Sequence, residues 1–217
     1  MDKWIGGAML CLVFTGIATA KDLSMLKLPA PDMEGGKPLM QVLKNRHSIR
    51  EFSPKPLPLQ VLSNLLWAAS GVNRPKTGQR TVPSARDWRE IDVYVVKSDG
   101  VFIYEPNEHL LRQVLGRDIR AKTGIQDFVG TAPVDLVYIA NLDRMTDAGP
   151  EQKAFYSATD TGFIAQDVYL YCASAGLGAV VRGSVDRDAL AAALELGKNQ
   201  KIILAQTVGY PQNGDLK

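Results

Sequence analysis

The sequence predicts an α+β fold, a mainly antiparallel sheet with helices packed against it, in one domain. Stretches with helical apolar spacing intermix with runs of β-forming residues, in no repeating order. Two of the β-forming runs are joined by the tight turn KSDG at 97–100. A chain of 217 residues buries one substantial core, and nothing in its length requires a second domain.

Two helices are predicted near the start of the domain. The segment 38–46 places apolar residues at helical spacing after Pro38, and proline suits the first helical position. The segment 57–71 repeats this arrangement, with Pro58 at its start and Gly71 at its end. Both segments therefore have a start signal and one apolar face.

The middle of the chain predicts a hairpin, a helix and a central strand. The runs IDVYVV at 91–96 and VFIYE at 101–105 form the hairpin, with Asp99 and Gly100 at its turn. The segment 107–116, NEHLLRQVLG, is predicted as a helix capped by Asn107, with His109 on its surface. The run VDLVYIA reads as a buried central strand. The interval 72–90 lacks periodicity and is predicted as a long loop, of the kind that is commonly functional or disordered.

The last third predicts a long helix from Glu151 to Ala175, closed by the glycines of the Gly176–Leu177–Gly178 turn. A short strand, AVVRG, follows this turn. A helix from Arg187 to Leu196 and a final strand, KIILAQTVGY, complete the predicted elements.

The first twenty residues have the composition of a secretory signal. A lysine near the start precedes an uncharged apolar run and the small-residue pattern Ala18–Thr19–Ala20. We expect cleavage after Ala20 and export to the periplasm, with no stable membrane insertion afterwards; an uncleaved N-terminal anchor is the alternative. The predicted organisation is a signal peptide at 1–20, an extended arm at 21–36 and the domain at 37–217.

Composition excludes several classes of function. There are 25 Lys and Arg against 23 Asp and Glu, scattered along the chain, so the basic surface of a nucleic-acid binder is not expected. After signal cleavage only Cys172 remains, and its apolar neighbours predict a buried, inert thiol. Two histidines and no cysteine pairs predict no metal site. Hydrolase, P-loop kinase and dinucleotide-binding motifs are also missing from the sequence.

One local cluster indicates binding chemistry. Arg46, His47, Ser48 and Arg50 lie within five residues, and the basic groups repel one another unless something anionic neutralises them. In an extended backbone, residues 46, 48 and 50 point to one side, where guanidinium and hydroxyl groups can bind phosphate or a polarised carbonyl. The alternative is a solvated helix end whose basic groups offset the helix dipole. The residue spacing alone does not choose between them.

The segment RHSIREF, continued by SPKPLPLQVLSNLLWAASGV, resembles the N-terminal signature of the nitroreductase family of FMN enzymes. TVPSA resembles a segment of the branch that contains thiazoline and oxazoline peptide dehydrogenases. The central helix with its Gly-Leu-Gly turn and the terminal LAQTVGYP also resemble the family, in the family's order.

The resemblance implies an interlocked homodimer with FMN at the interface. It assigns the phosphate to Arg46 and Ser48, beside His47, and places Arg50 near flavin N1 and O2, where a cation stabilises the reduced ring. It assigns a second flavin-contacting segment to Pro83, Ser84 and Ala85, contributed by the partner chain; a turn leading into a solvated loop is the alternative. It also brings the backbone at 176–178 towards flavin N5 and O4.

Three places depart from this resemblance. Arg86, Asp87 and Trp88 stand where the branch continues with glycine and an apolar-aromatic stretch. Directly after the last strand, where the family has basic residues, Gly209, Tyr210 and Pro211 lead to Gln212. Arg182 stands where the family more often has a neutral residue, and three roles remain open for it: phosphate ligand, substrate ligand or surface ion pair.

The predicted function is an FMN-dependent oxidoreductase that transfers hydride through flavin N5 to or from a small organic substrate. No catalytic side chain is assigned. NAD(P)H as electron donor stays open, because soluble nicotinamides are cytoplasmic whereas the signal predicts export. The alternatives are an exported flavin-binding protein without turnover and an exported structural dimer without a cofactor.

Overall fold

The computed structural model describes Met1 and residues 24–212. Apart from Met1, the predicted signal peptide lies outside the described residues. No helix in the described part of the chain is long and apolar enough to cross a membrane.

A seven-stranded sheet, antiparallel at every pairing, forms the centre of the protein. Its order is β1-β6-β5-β4-β7-β9-β8, and β2 and β3 form a separate hairpin. The strands are β1 Met25–Lys27, β2 Val72–Arg74, β3 Gln79–Arg80, β4 Ile91–Lys97, β5 Gly100–Glu105, β6 Leu110–Leu115, β7 Val134–Asn141, β8 Gly178–Arg182 and β9 Gln200–Gly209. The α+β class with a mainly antiparallel sheet is confirmed.

Four α-helices accompany the sheet in the described residues: α1 Leu39–Asn45, α2 Leu59–Ser70, α3 Pro150–Ala175 and α4 Arg187–Ala193. The first two begin directly after Pro38 and Pro58, as predicted. Helix α3 ends at Gly176, whose φ of 75° lies in the left-handed region that glycine adopts without steric cost.

The two faces of the sheet carry separate cores, because successive strand residues point to opposite sides. On one face, Val93 and Val95 pack with α2 and α3, including Leu65 and Val168. On the other face, Tyr94 and Val96 pack in a core that contains Leu190 of α4. Helix α3 packs against helix α2 and also against strand β8.

The predicted helix at 107–116 is wrong. Residues 106–109 form a turn, and β6 follows, pairing with β5 on one side and β1 on the other. His109 has a φ of 50° in this turn, and its ring bonds to Ser63 and Tyr104 at 2.7 and 2.8 Å, so it is not a free surface residue. Pairing on both edges fixes the strand despite the helical spacing of its leucines.

The predicted arm and the predicted loop both contain paired strands. Within the arm, β1 forms the edge of the main sheet. Within 72–90, β2 pairs with β3, and a short helical turn covers Ala85–Asp87. The interval 72–90 therefore forms ordered secondary structure beside α3 and is not an irregular loop.

Candidate functional site

The RHSIR cluster follows the C-terminus of α1 and packs on Tyr169 of α3. Ser48 Oγ lies 2.9 Å from the Tyr169 hydroxyl, and the Arg46 guanidinium stands 5.3 Å from the centre of the Tyr169 ring. The side chains of Arg46 and Ser48 therefore both contact Tyr169, on the same side of the backbone, as expected for an extended segment. The Tyr169 hydroxyl also accepts a hydrogen bond from the Val181 amide at 2.8 Å, which ties the cluster to β8.

The two arginines of the cluster are available for an anion. Within residues 24–212, neither Arg46 nor Arg50 has an ion pair or a side-chain hydrogen bond; Arg50 is exposed and Arg46 half-buried. His47 is exposed, and its Nδ1 lies 2.7 Å from the Asn45 carbonyl oxygen. An unneutralised guanidinium and a hydroxyl donate the hydrogen bonds that a phosphate accepts, so Arg46 and Ser48, which meet on Tyr169, suit a phosphate group.

The Gly-Leu-Gly turn lies directly beside this cluster. The Ile49 amide donates to the Ala179 carbonyl at 3.0 Å, which fastens the cluster to the start of β8. A Cβ on Gly178 would lie 2.9 Å from Ile49 Cγ2, so glycine allows this close approach. Leu177 is buried and anchors the turn in the core. The structure therefore places residues 46–50 beside the turn at 176–178.

The Pro83–Ser84–Ala85 segment forms a second cluster with α3 and β4. The Ala85 amide donates to Asp160 Oδ2 at 2.9 Å, and Ser84 Oγ lies 3.4 Å from Glu90 Oε2. Burial raises the pKa of Glu90, and the neighbouring Asp160 raises it further. Burial also raises the pKa of Asp160, against the Ala85 amide, which favours the ionised form.

The two clusters are separate within one chain. Asp160 contacts the second cluster and Tyr169 the first, and their nine-position separation corresponds to a rise of about 13 Å along the helix. The chain thus presents two site segments at different positions along α3.

The segment that departs from the family pattern has an unusual backbone. Arg86, Asp87 and Arg89 have φ values of 49°, 57° and 50°, in the left-handed region. Arg86 thus keeps a backbone that suits the glycine it replaces. The Arg86 guanidinium and the Trp88 indole nitrogen each donate to Asp147 at 2.7 Å, which holds the segment against the turn that precedes α3. The Trp88 ring also packs on Tyr156 of α3.

Arg182 is buried inside the protein and not on its surface. Its guanidinium donates to Asp135 Oδ1 at 2.8 Å and to the Thr123 carbonyl at 2.7 Å, and the residue is 4% exposed. Asp135 also accepts a hydrogen bond from Thr207. Three roles were possible for Arg182: phosphate ligand, substrate ligand or surface ion pair. The geometry shows an ion pair, but a buried one and not one at the surface.

Cys172 is buried, and burial raises the pKa of its thiol well above the usual range, as an inert thiol requires. No group of three His, Cys, Asp or Glu side chains in residues 24–212 is arranged to hold a metal ion.

The roles of three residues in these clusters were not predicted from the sequence: Tyr169, Glu90 and Asp160. Tyr169 sits in an apolar run where a core role is the simplest reading, and the acidic pair is separated by 70 positions in the chain. The absence of charge around Tyr169 in VYLYC left no sequence signal for its contact with Arg46.

Comparison with known proteins identifies the family to which this fold belongs. The family described as "Nitroreductase family" matches residues 43–210. A provisionally named nitroreductase of Methanocaldococcus jannaschii is 34% identical over 169 residues, covering 73% of this chain and 84% of that protein. A crystal structure of a provisionally named nitroreductase from Ralstonia eutropha is 49% identical, with a TM-score of 0.83, and covers 86% of this chain and 89% of its own.

More distant structures share the fold alone. The NADPH:FMN oxidoreductase of Vibrio harveyi is 19% identical, with a TM-score of 0.60 over 80% of this chain and 68% of its own. A chain of the E. coli microcin synthetase complex is 16% identical, with a TM-score of 0.67 over 94% of this chain and 84% of its own. The protein belongs to the nitroreductase family, and it is an oxidoreductase of that family.

Proposed function

We propose that this oxidoreductase binds FMN and transfers two electrons as a hydride through flavin N5, to or from a small organic substrate such as a nitro compound or a quinone. The observation that carries the proposal is the pair of unneutralised guanidinium groups of Arg46 and Arg50 beside Ser48. When bound, FMN supplies the hydride chemistry, which explains why the site needs no nucleophilic side chain.

Each residue of the first cluster has a defined task in this proposal. Arg46 and Ser48 hold the phosphate, and the Tyr169 hydroxyl orients Ser48 from α3. Arg50 stabilises the negative charge of the reduced ring near N1 and O2, which raises its reduction potential. The backbone at 176–178 faces the N5 and O4 edge.

A titration of flavin fluorescence tests the cofactor. Protein freed of flavin should quench FMN fluorescence on binding, and Arg46→Gln should weaken the affinity about 10- to 100-fold, since a charge-assisted hydrogen bond contributes about 1.5–3 kcal/mol. Arg112→Gln is the matched control, because Arg112 forms an exposed ion pair with Glu105 far from the cluster. Absence of quenching by the unsubstituted protein would refute the cofactor assignment.

We propose a homodimer in which the second flavin-contacting segment comes from the partner. The solvent face of α3 carries exposed Phe155 and Phe163 together with exposed Ala158 and Gly162, an apolar surface suited to a second copy of the chain. A Cβ on Gly162 meets nothing within 4 Å, so Gly162→Glu should leave the single chain intact. We expect it to halve the mass in sedimentation and lower FMN retention; an unchanged mass would contradict this interface.

The segment Pro83–Ala85 supports placing the chain nearest the branch with thiazoline and oxazoline peptide dehydrogenases. In that placement the enzyme oxidises its substrate, and the electrons reduce the flavin. Adding a thiazoline peptide anaerobically should bleach the flavin absorbance as thiazole forms. Bleaching by a quinol alone, with no response to the thiazoline, would place the substrate elsewhere.

The electron donor and the compartment are proposed together. We propose export to the periplasm after cleavage at Ala20, and an electron donor other than NAD(P)H. Mass spectrometry of the mature chain tests the cleavage, and anaerobic addition of NADH or NADPH tests the donor. Rapid bleaching by either nicotinamide would count against this donor assignment.

A flavin-binding protein without turnover is the second candidate. The Arg86–Trp88 segment and the Pro211–Gln212 pair favour it, because both differ from the residues that the family resemblance places around the cofactor. Yellow protein that turns over no quinone, nitroaromatic or nicotinamide would select this candidate. Colourless protein that binds no flavin would instead select a structural dimer.

A further inference from the structure

A cavity of about 460 Å³ lies beside the second flavin-contacting segment. Its apolar lining includes Val82, Ile91 and Ile164, which suit a small ring. Pro83 and Ser84 form part of the same wall. The cavity therefore adjoins the segment that the proposed function places against flavin.

Three arginines line this cavity, and one of them lacks a partner. Arg89 is paired with Asp87 at 2.7 Å, and Arg74 donates to the Arg80 carbonyl oxygen at 2.7 Å. The Arg80 side chain has no ion pair in the described residues, and its buried Nε has no hydrogen-bond partner there. Burial lowers the pKa of Arg80, and the charge of Arg89 lowers it further. Asp87 and Asp92 act on the Arg80 charge through space, but neither forms an ion pair with it, so an anion bound in the cavity would stabilise this guanidinium.

A second cavity of about 350 Å³ meets the first at Arg80 and Arg89. It contains Arg144, which pairs with Asp92 at 2.8 Å. Thus Arg89 and Arg144 have carboxylate partners and Arg74 bonds to a backbone carbonyl oxygen, whereas the Arg80 side chain has no such partner in the described residues.

Acceptor groups line the same cavity near Ser84. Glu90 is fully buried, and its Oε1 has no hydrogen-bond partner in the described chain. Asp160 also lines the cavity and is held by the Ala85 amide. These carboxyl groups disfavour a dianion such as phosphate, whereas an unpartnered carboxyl oxygen suits an N–H or O–H donor on the ligand.

We propose that this cavity recognises a small organic acid, with its carboxylate on Arg80 and a hydrogen-bond donor of the same molecule on Glu90. The inference rests on the proposed function, since it names the substrate class of that flavin site. The Arg46–Ser48 cluster of the same chain contacts α3 at Tyr169, nine positions from Asp160, so the guanidinium proposed for the cofactor phosphate is distinct from that of Arg80. Substrate and cofactor anions are thus bound by different arginines.

Calorimetry with 3- and 4-aminobenzoate tests the assignment, because each combines a carboxylate with an N–H donor on one ring. The matched ligands are the corresponding aminobenzamides, which lack the charge, and benzoate, which lacks the donor. We expect the better aminobenzoate to bind at least tenfold more tightly than its amide and than benzoate. Arg80→Gln should remove the preference over the amide, and Arg117→Gln, at an exposed arginine that lines neither cavity, should keep it.

The titrations are run on flavin-loaded protein and on protein freed of flavin, and bound FMN is measured separately by visible absorbance. Loss of FMN binding with retained aminobenzoate binding would refute the proposed function but not the anion site. Equal affinities for aminobenzoate and amide, or displacement of aminobenzoate by equimolar inorganic phosphate, would overturn the anion site. If Arg80→Gln fails to fold, the comparison of acid and amide on unsubstituted protein decides alone.

Discussion

Replacing Arg182 by methionine tests the buried ion pair that organises strand β8. The side chains of Arg182 and Asp135 are 3% and 0% exposed, so neither charge is compensated by water. In Arg182→Met, Asp135 keeps its hydrogen bond from Thr207 and the weaker influence of Thr123 and Arg120, but it loses its ion-pair partner. Removing one member of a buried pair costs about 3–5 kcal/mol, because the remaining charge has no partner. For a domain of this size, we expect the melting temperature to fall by roughly 6–20 °C at pH 8.

The loss should depend on pH in a defined direction. Burial raises the pKa of Asp135 to about 7, and Arg182 opposes that rise. Without Arg182 the pKa rises further, and the folded variant holds a proton that the unfolded chain, with a carboxyl pKa near 4, releases. Stability of the variant therefore falls as pH increases through this window, by up to about 1.4 kcal/mol per pH unit. The difference between the two proteins should be smaller at pH 5 than at pH 8.

Chemical denaturation at pH 5 and pH 8 measures both effects. Arg112→Met removes a half-exposed ion pair and should cost less than about 1 kcal/mol at either pH. Arg182→Met combined with Asp135→Asn should recover part of the loss, since no buried charge remains. A loss below about 1 kcal/mol that is equal at both pH values would refute the reasoning. FMN affinity per folded molecule should stay unchanged, because Arg182 is buried and its terminal nitrogens donate to Thr123 and Asp135 inside the protein.

Three further outcomes are expected. Arg86→Gly should be more stable to denaturant than Arg86→Ala by about 1 kcal/mol, since both lose the ion pair but only glycine relieves the positive φ; equal stabilities would argue against this strain. Gly178→Ala should weaken FMN binding in the fluorescence titration, because its Cβ would displace Ile49 within the cluster, and an unchanged affinity would mean that Ile49 adjusts freely. Burial lowers the pKa of His109, so the contribution of the neutral ring to folding stability is present above pH about 6.5 and is lost as pH falls. The variant His109→Gln should therefore lose less stability than the unsubstituted protein between pH 7 and 5.5. An identical dependence of stability on pH in the two proteins would contradict this.

Most elements of the fold could be predicted because their signals are local. Prolines at 38 and 58 mark helix starts, and glycine at 176 marks a helix end, through conformations that each residue imposes on its own backbone. The hairpin of β4 and β5 follows from alternation and a two-residue loop, with Lys97 paired to Gly100. The first cluster is equally local, since Arg46, Ser48 and Arg50 lie within five residues.

The second cluster could be predicted only as a segment. The sequence resemblance marks Pro83–Ala85, but its partners come from β4 and α3, and Asp160 lies 75 residues from the Ala85 amide it accepts from. No pattern within either segment specifies that contact. The role proposed for Arg80 could not be predicted from the sequence for the same reason. Whether a guanidinium forms an ion pair with a carboxylate depends on which strands and loops fold around it.

The amino-acid sequence by itself determined the fold class, most element boundaries and the cationic segment proposed to hold a phosphate, since periodicity, turn residues and adjacent charges act over a few positions. Tertiary structure alone decided that 110–115 is a strand, because pairing with both β5 and β1 outweighs the local helical spacing. It alone decided that Arg182 is internal, because Asp135 lies 47 positions away and meets it only when β8 and β7 both pack against β9. Contacts between distant residues depend on the whole packed chain, and no local preference encodes them.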